Sequence, residues 1–121
     1  MKILKFGSSR RFSVVSYSVG HGFLLLRSGK TNSYPTRIDI LIGDVRAMEI
    51  RMWFDGIRIE EEDIEYLDGY SSKPSEMLEY GNKIYAIHGA GWSGFVVGGA
   101  FTTVEDDKDF MAPSALLPNL S

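Results

Sequence analysis

Apolar residues in the first third of the chain belong mainly to the β-branched and aromatic types that suit a pleated sheet. They fall in two runs, Phe12–Val19 and Phe23–Leu26, which are separated by Gly20-His21-Gly22. Glycine on either side of one residue permits a sharp turn. The pattern predicts two strands joined at this turn.

The middle of the chain alternates apolar and polar residues with the period of two that a strand requires. Ile38, Ile40 and Ile42 predict a half-buried strand. In the next run the predicted inward face is Met48, Ile50, Met52 and Phe54, and the outward face is Ala47, Glu49, Arg51 and Trp53. Asp55-Gly56 follows, and an Asp-Gly pair at this place predicts a hairpin turn because both turn positions need positive φ.

Strand signals resume in the last third, at Ile84–Ile87, Phe95–Val97 and Phe101–Val104. Before them, Ser75–Tyr80 predicts one short helix with Ser75 as its N-cap. The chain is therefore predicted to be mainly β, a single-domain antiparallel sandwich or open barrel of about 7–9 short strands with at most one short helix.

Residues 1–105 are predicted to form one β-rich domain, followed by a C-terminal tail over residues 106–121 that is first acidic and then contains proline. Pro113 and Pro118 prevent a stable helix across this tail. The tail is either frayed or pinned by apolar side chains that dock on the body or on a second subunit, namely Phe110, Met111, Leu116 and Leu117.

Composition places the chain among ordinary globular domains. At 121 residues, 44% of them hydrophobic, one core is expected to bury roughly two-thirds of the unfolded surface. The absence of cysteine excludes disulfides, thiolate metal sites and thiol nucleophiles. No apolar stretch approaches the roughly 20 residues that span a bilayer. Without an apolar leader, the expected location is the cytoplasm, with no membrane contact.

Charge is sorted along the chain. Residues 1–58 hold ten Lys or Arg against four Asp or Glu, and residues 59–121 hold three against twelve, which gives about +6 and −9 and sums to −3. Such sorting predicts an acidic patch that steers partners. Its densest part is Glu60, Glu61, Glu62 and Asp63, which are expected to face solvent because buried carboxylates repel one another.

Gly89-Ala90-Gly91-Trp92-Ser93-Gly94 has the spacing of a dinucleotide-binding fingerprint. That fingerprint opens a helix in a parallel βαβ unit, whereas strand residues follow here, so a glycine-rich hairpin or bulge is predicted and no cofactor is expected. Ser93 lacks the closing glycine of a nucleophile elbow. Trp92 is interpreted as a lid over the core, or else as a partner anchor.

His21 and His88 are the only imidazoles. No His-x-His or His-x-x-x-His spacing exists, so no metal site is predicted. Each histidine is expected to have a structural role. The arginines of the first half suggest a basic face, but a pI near 5.3 gives no overall support for nucleic-acid binding.

Three segments carry a resemblance: Tyr17–Ser28, Arg37–Ile42 and the valine-led strand at Val45. Together they resemble small bacterial proteins of unassigned function, some of which are similar to immunity proteins that neutralise polymorphic toxins. The likeness covers Phe12 to Glu60. It implies a compact β-rich domain, offers no catalytic signature to transfer and leaves the activity open.

The leading hypothesis is a non-enzymatic interaction domain that binds a protein through its acidic surface. The partner is either a basic toxin or a second copy of the chain, since segregated charge and strand edges favour self-association and a homodimer. The candidate contact residues are Glu60, Glu61, Glu62, Asp63, Tyr66, Tyr70, Tyr80 and Trp92, because aromatic residues are enriched in interface cores.

Two alternatives remain at this point. One is a barrel that encloses a small apolar ligand, lined by Phe23, Leu25, Met48, Met52, Phe95 and Phe101. The other is an enzyme that uses His21 or His88 together with Asp39.

Overall fold

The computed structural model describes residues 2–70, 78 and 81–117. In that part of the chain, eight strands form one antiparallel sheet. They are β1 (Ile3–Ser18), β2 (Phe23–Ser28), β3 (Arg37–Ile42), β4 (Ala47–Glu49), β5 (Trp53–Glu62), β6 (Lys83–Gly89), β7 (Trp92–Gly98) and β8 (Phe101–Asp106). The strand order is β4-β7-β6-β5-β1-β2-β3-β8. The mainly β prediction is confirmed.

The sheet is not closed by strand pairing. It curls so that the turns next to its two edge regions are joined by backbone hydrogen bonds. The turn after β3 and the turn after β7 exchange backbone hydrogen bonds, from Gly43 to Ala100 and from Gly99 to Gly43, and Arg46 donates to Val97. Side chains from both halves of the sheet share one buried cluster, including Phe12, Ile40 and Val96. This sharing requires a curled sheet, so the architecture is an open barrel rather than a two-sheet sandwich.

A short 3₁₀ helix, η1 (Ile64–Gly69), follows β5 and covers the outside of β6 and β7. Leu67 of η1 is fully buried in a second apolar cluster with Ile84, Phe95 and Val97. The second cluster explains why β6 and β7 are apolar on both faces. The helix predicted at Ser75–Tyr80 lies outside the described residues.

Two predictions about β5 and about the residues that precede it are wrong. Asp55-Gly56 is not a hairpin turn, because β5 runs through it and pairs with β1 on both sides. The positive φ of Gly56, 71°, instead lies opposite a register shift between Ser8 and Arg11, which is a β-bulge. Met48 and Met52 are exposed rather than inward, since a three-residue β4 leaves them at the rim.

The turns predicted by glycine at other places are confirmed. Gly20-His21-Gly22 joins β1 to β2, with Gly22 at φ 64°. Ala90-Gly91 closes the β6–β7 hairpin, so the glycine-rich segment opens a strand and not a nucleotide-binding helix. Its antiparallel setting lacks the helix N-terminus that would hold a pyrophosphate.

The C-terminal tail is pinned by a buried arginine and not mainly by its apolar residues. Arg37, fully buried in β3, donates from Nε and Nη2 to Asp106 at 3.1 Å each. It also donates to the carbonyl oxygens of Asp109, Ala112 and Pro113 at 2.7 to 3.2 Å. These five hydrogen bonds match the five N–H donors of a guanidinium.

A second arginine continues this network, which we call the tail clamp (Arg27, Asp39, Arg37 and Asp106). Arg27 binds Asp39 bidentately at 2.6 and 3.0 Å and donates to the carbonyl oxygen of Phe110. Phe110 and Met111 themselves stay exposed. The Phe110 ring nevertheless lies under the Arg27 guanidinium at 5.6 Å, and Leu116 and Leu117 are half-buried. The hydrogen bonds from Arg27 and Arg37 to the tail backbone therefore add a polar contribution to docking that the sequence does not predict.

Candidate functional site

Folding largely cancels the charge sorting seen along the sequence. The basic strand β1 pairs with the acidic end of β5, and β3 pairs with β8. Lys2 approaches Glu60 at 4.0 Å and Lys5 approaches Glu61 at 3.9 Å, while Arg10 reaches Glu105 at 3.4 Å. The net acidic surface is consequently smaller than the −9 of the second half suggests.

A groove remains at the end of β5 in which carboxylates outnumber cations. We call it the acidic groove; its described lining is Glu61, Glu62, Asp63, Ile64, Glu65, Leu78, Asn82, Lys83 and Ile84. Lys83 lies 3.5 Å from Glu61. Glu62 and Glu65 make no ion pair with any described residue. Within the described part of the chain, the groove therefore combines the unpaired carboxylates of Glu62 and Glu65 with an apolar floor.

Glu60 does not belong to this groove, and the expectation that it faces solvent is wrong. It is only 7% exposed. Its side chain lies on the outer face of β5, beside the side chains of Arg58 and His88. Its Oε1 lies 3.3 Å from Nε of Arg58 and 3.2 Å from Nε2 of His88. These neighbours offset the burial that a lone carboxylate would not tolerate.

His88 lies between Glu60 and Ser93. The sequence does not predict Ser93 as a nucleophile, because the closing glycine of the motif is missing. Nδ1 of His88 lies 2.8 Å from Oγ of Ser93 across the β6–β7 hairpin. Burial, with Arg58 next in effect, lowers the pKa of His88 below 6.5, partly opposed by Glu60. A neutral imidazole can accept a proton at Nδ1 while its Nε2–H faces Glu60. The triplet therefore has the order of nucleophile, base and carboxylate.

Two of the candidate tyrosines, Tyr66 and Tyr70, lie over the sheet instead of projecting from it. Tyr66 donates its hydroxyl to the carbonyl oxygen of Gly94 at 2.9 Å and lies 3.3 Å from the Tyr70 hydroxyl. Burial and that contact raise the pKa of Tyr66. Tyr70 packs edge-on against Phe95, with ring centroids 4.9 Å apart. Both are half-buried, and Tyr80 lies outside the described residues.

Trp92 packs against the main core, and its ring meets Phe54 edge-on at 4.8 Å. This packing agrees with the interpretation of Trp92 as a lid over the core. The exposed tryptophan is Trp53, 59% accessible and covered by the guanidinium of Arg11 at 4.3 Å. Its outward position in the period-two pattern was the signal for this exposure.

The two histidines do not meet. His88 lies opposite Arg58, which pairs with Gly7 near the start of β1, whereas His21 follows the far end of β1. Asp39 is held by Arg27 in the tail clamp and is not a partner of either histidine. The carboxylate beside His88 is therefore Glu60 and not Asp39.

The residues named for an apolar ligand cavity are dispersed in the fold. Met48 and Met52 are exposed at the rim, and Phe95 belongs to the second cluster outside the barrel. The interior of the barrel is occupied by the buried cluster that contains Phe12, Ile40 and Val96, to which Ile59 also belongs. These positions do not enclose a common space.

Among the described residues, no three His, Asp or Glu side chains are arranged to hold a metal ion. Within the same part of the chain, no helix has the length and apolar character to cross a membrane. Comparison with known protein families, curated proteins and solved structures finds no match.

Proposed function

We propose that this protein is a protein-interaction domain whose acidic groove receives a basic segment of a partner. One observation carries the proposal: Glu61, Glu62, Asp63 and Glu65 line a single groove, and Lys83 is the one cation among the described lining residues. The acidic segment predicted from sequence contributes three of these four carboxylates.

The construction of the groove suits lysine or arginine side chains. Ile64, Leu78 and Ile84 supply an apolar floor, against which the aliphatic stem of a basic side chain packs while its charged head reaches the rim. An apolar centre with a polar rim is the usual anatomy of a protein interface. Complementary charge then accelerates encounter and selects the partner.

The nature of the partner is part of the proposal. A basic toxin fits this groove, and the resemblance of Tyr17–Ser28 and Arg37–Ile42 to immunity-like proteins agrees with that class of partner. A second copy of the chain fits less well, because β1 and β3 already occupy much of the acidic half.

The test uses the double variant Glu62→Gln/Glu65→Gln and a fluorescein-labelled oligolysine peptide, followed by fluorescence anisotropy. Each lost rim charge contributes about 0.5 kcal/mol, so the affinity should fall about threefold to tenfold. The wild-type affinity should also fall as salt rises, because exposed charges are screened.

The matched control is Glu49→Gln/Asp107→Asn, which removes two exposed carboxylates that lie outside the groove. It has the same net charge as the test variant. An equal loss of affinity in both variants would show that diffuse negative charge binds the peptide, and the groove proposal would then be abandoned.

A second candidate function rests on the 2.8 Å contact between Ser93 and His88. In a hydrolytic role, Oγ of Ser93 attacks an acyl carbonyl while Nδ1 of His88 takes the hydroxyl proton and Glu60 stabilises the imidazolium. The imidazolium then returns the proton to the leaving group as its bond to the acyl carbon breaks, and water hydrolyses the acyl-enzyme to regenerate Ser93. A fluorophosphonate probe should then label wild type, but neither Ser93→Ala nor His88→Gln. An unlabelled wild-type protein would reject this second candidate.

A further inference from the structure

A cationic pocket lies beside the middle of β1, where β1 and β2 meet the β2–β3 loop. Its cationic lining consists of Arg10, Arg11, Arg27 and Lys30, and no carboxylate side chain is among its described lining residues. Hydroxyl groups complete the wall, from Ser9, Ser13, Ser28, Thr31 and Tyr34. The pocket has a volume of about 350 Å³, within the size range of small-molecule sites.

The cations of the pocket differ in how firmly they are already paired. Arg27 is held in the tail clamp by two hydrogen bonds to buried Asp39 and one to the carbonyl oxygen of Phe110. Arg10, Arg11 and Lys30 instead pair at 3.1 to 3.4 Å with carboxylates outside the pocket. Three positive charges are therefore held by contacts that a ligand can compete with.

Those outer carboxylates are well solvated. The side chains of Glu105, Asp55 and Asp109 are 54%, 67% and 90% exposed. Ion pairs with such solvated carboxylates contribute little to stability, so exchanging them for contacts with a ligand loses little. Arg10, whose side chain is only 10% exposed, would gain most from an anion inside the pocket, where charge is less screened.

Backbone and aromatic contacts hold the pocket open in this shape. Arg10 donates to the carbonyl and hydroxyl oxygens of Thr36 at 2.9 Å each, and its guanidinium stacks on Tyr34 at 4.2 Å. Thr31 fixes the β2–β3 loop by accepting from the backbone of Ser33 and Tyr34. The positive charge is thus preorganised, which lowers the ordering cost of binding.

We propose that this pocket binds the phosphate group of a small molecule. Guanidinium and ammonium donors converge with hydroxyl donors, which is the donor set that phosphate oxygens prefer. The site is independent of the acidic groove, since the two linings share no residue.

The experiment is isothermal titration of the full chain with inorganic phosphate and with AMP at constant ionic strength, with adenosine as the uncharged probe. Saturable binding of phosphate and AMP but not adenosine is expected. Lys30→Ala and Arg11→Ala should each weaken phosphate binding about tenfold, while Arg46→Ala, an exposed arginine outside the pocket, should leave it unchanged.

Tighter binding of AMP than of phosphate would identify a nucleotide-like ligand, and equal binding a free oxyanion; both support the site. No saturable heat with either anion overturns the proposal. An equal loss in Arg46→Ala also overturns it, because binding would then follow net charge. Thermal unfolding of each variant establishes that the fold is retained.

Discussion

Two groups of charged side chains lie on the outer face of the same sheet, and both are shielded from water. In the tail clamp, Arg37 uses every guanidinium donor and Asp39 is bound bidentately. At the other group, Oε1 of Glu60 and Nε2 of His88 are both buried without an aligned hydrogen bond, although only 3.2 Å separates them. One group is saturated and the other is not.

This difference separates a structural role from a reactive one. A saturated buried network fixes one conformation, because removing any member leaves an uncompensated charge. An unsaturated pair keeps hydrogen-bonding capacity for a proton, water or ligand. The tail clamp is therefore expected to stabilise the fold, and the Glu60–His88–Ser93 group is the one on which the second candidate function proposed above rests.

The largest expected effect comes from Arg37→Met. The variant leaves Asp106 without its partner and frees three tail carbonyl groups, so the free energy of unfolding should fall by about 3–5 kcal/mol. Urea unfolding followed by circular dichroism measures this change. Arg46→Met, which removes an exposed arginine paired with Asp44, should change the value by less than about 1 kcal/mol. Similar losses in the two variants would mean that the clamp is not a stabilising element.

An intermediate effect is expected from Glu60→Gln compared with Asp39→Asn. Both remove one buried carboxylate charge, but only Asp39 makes two aligned hydrogen bonds to an arginine. We expect Glu60→Gln to lower the free energy of unfolding by about 1 kcal/mol or less and Asp39→Asn by about 3 kcal/mol or more. Urea unfolding of both variants measures these two losses. A larger loss in Glu60→Gln than in Asp39→Asn would contradict the distinction between the saturated and the unsaturated group.

The smallest effect is a dependence of stability on pH. The pKa of His88 is lowered below 6.5, so the unfolded chain binds its proton first as the pH falls. Stability should therefore decrease from about pH 7 downward and level off below the folded pKa. Arg37 lowers the pKa of Asp106 below 3.8, so the stabilisation from the clamp should persist until the pH falls below that value.

Thermal unfolding between pH ~8 and ~5 measures this dependence. His88→Gln should flatten the curve, while His21→Gln, at an exposed turn, should retain it. A curve that His21→Gln flattens and His88→Gln leaves intact would contradict the placement of His88.

Much of the fold could be predicted because it depends on local patterns. Alternation at Ile38, Ile40 and Ile42 and the glycines at 20, 22 and 91 correctly indicate strands and turns. The prediction that the strand at Ile38–Ile42 is half-buried is wrong, because β3 is buried throughout and the tail clamp buries Arg37 and Asp39 on its other face. Asp55-Gly56 misleads, because the same positive φ serves a hairpin turn or a bulge, and only the pairing of β5 with β1 selects between them.

The candidate sites were harder to predict. The acidic run at Glu61–Asp63 identifies one wall of a groove, since like charges adjacent in sequence remain adjacent in space. Ser93, His88 and Glu60 come from three strands, and nothing in their spacing indicates contact. The cationic pocket likewise joins Arg10 to Lys30 across two strands and a loop.

The sequence by itself determined the β class, the main turns and the position of an acidic segment, because propensity, period and charge act between near neighbours. Only the tertiary structure decided which charges remain available. Strand pairing places β1 beside β5 and β3 beside β8. This register brings Lys5 and Lys83 within 3.9 Å of Glu61 and saturates Arg37, whereas Glu62 and Glu65 have no ion-pair partner among the described residues and Nε2 of His88 has no aligned hydrogen bond there.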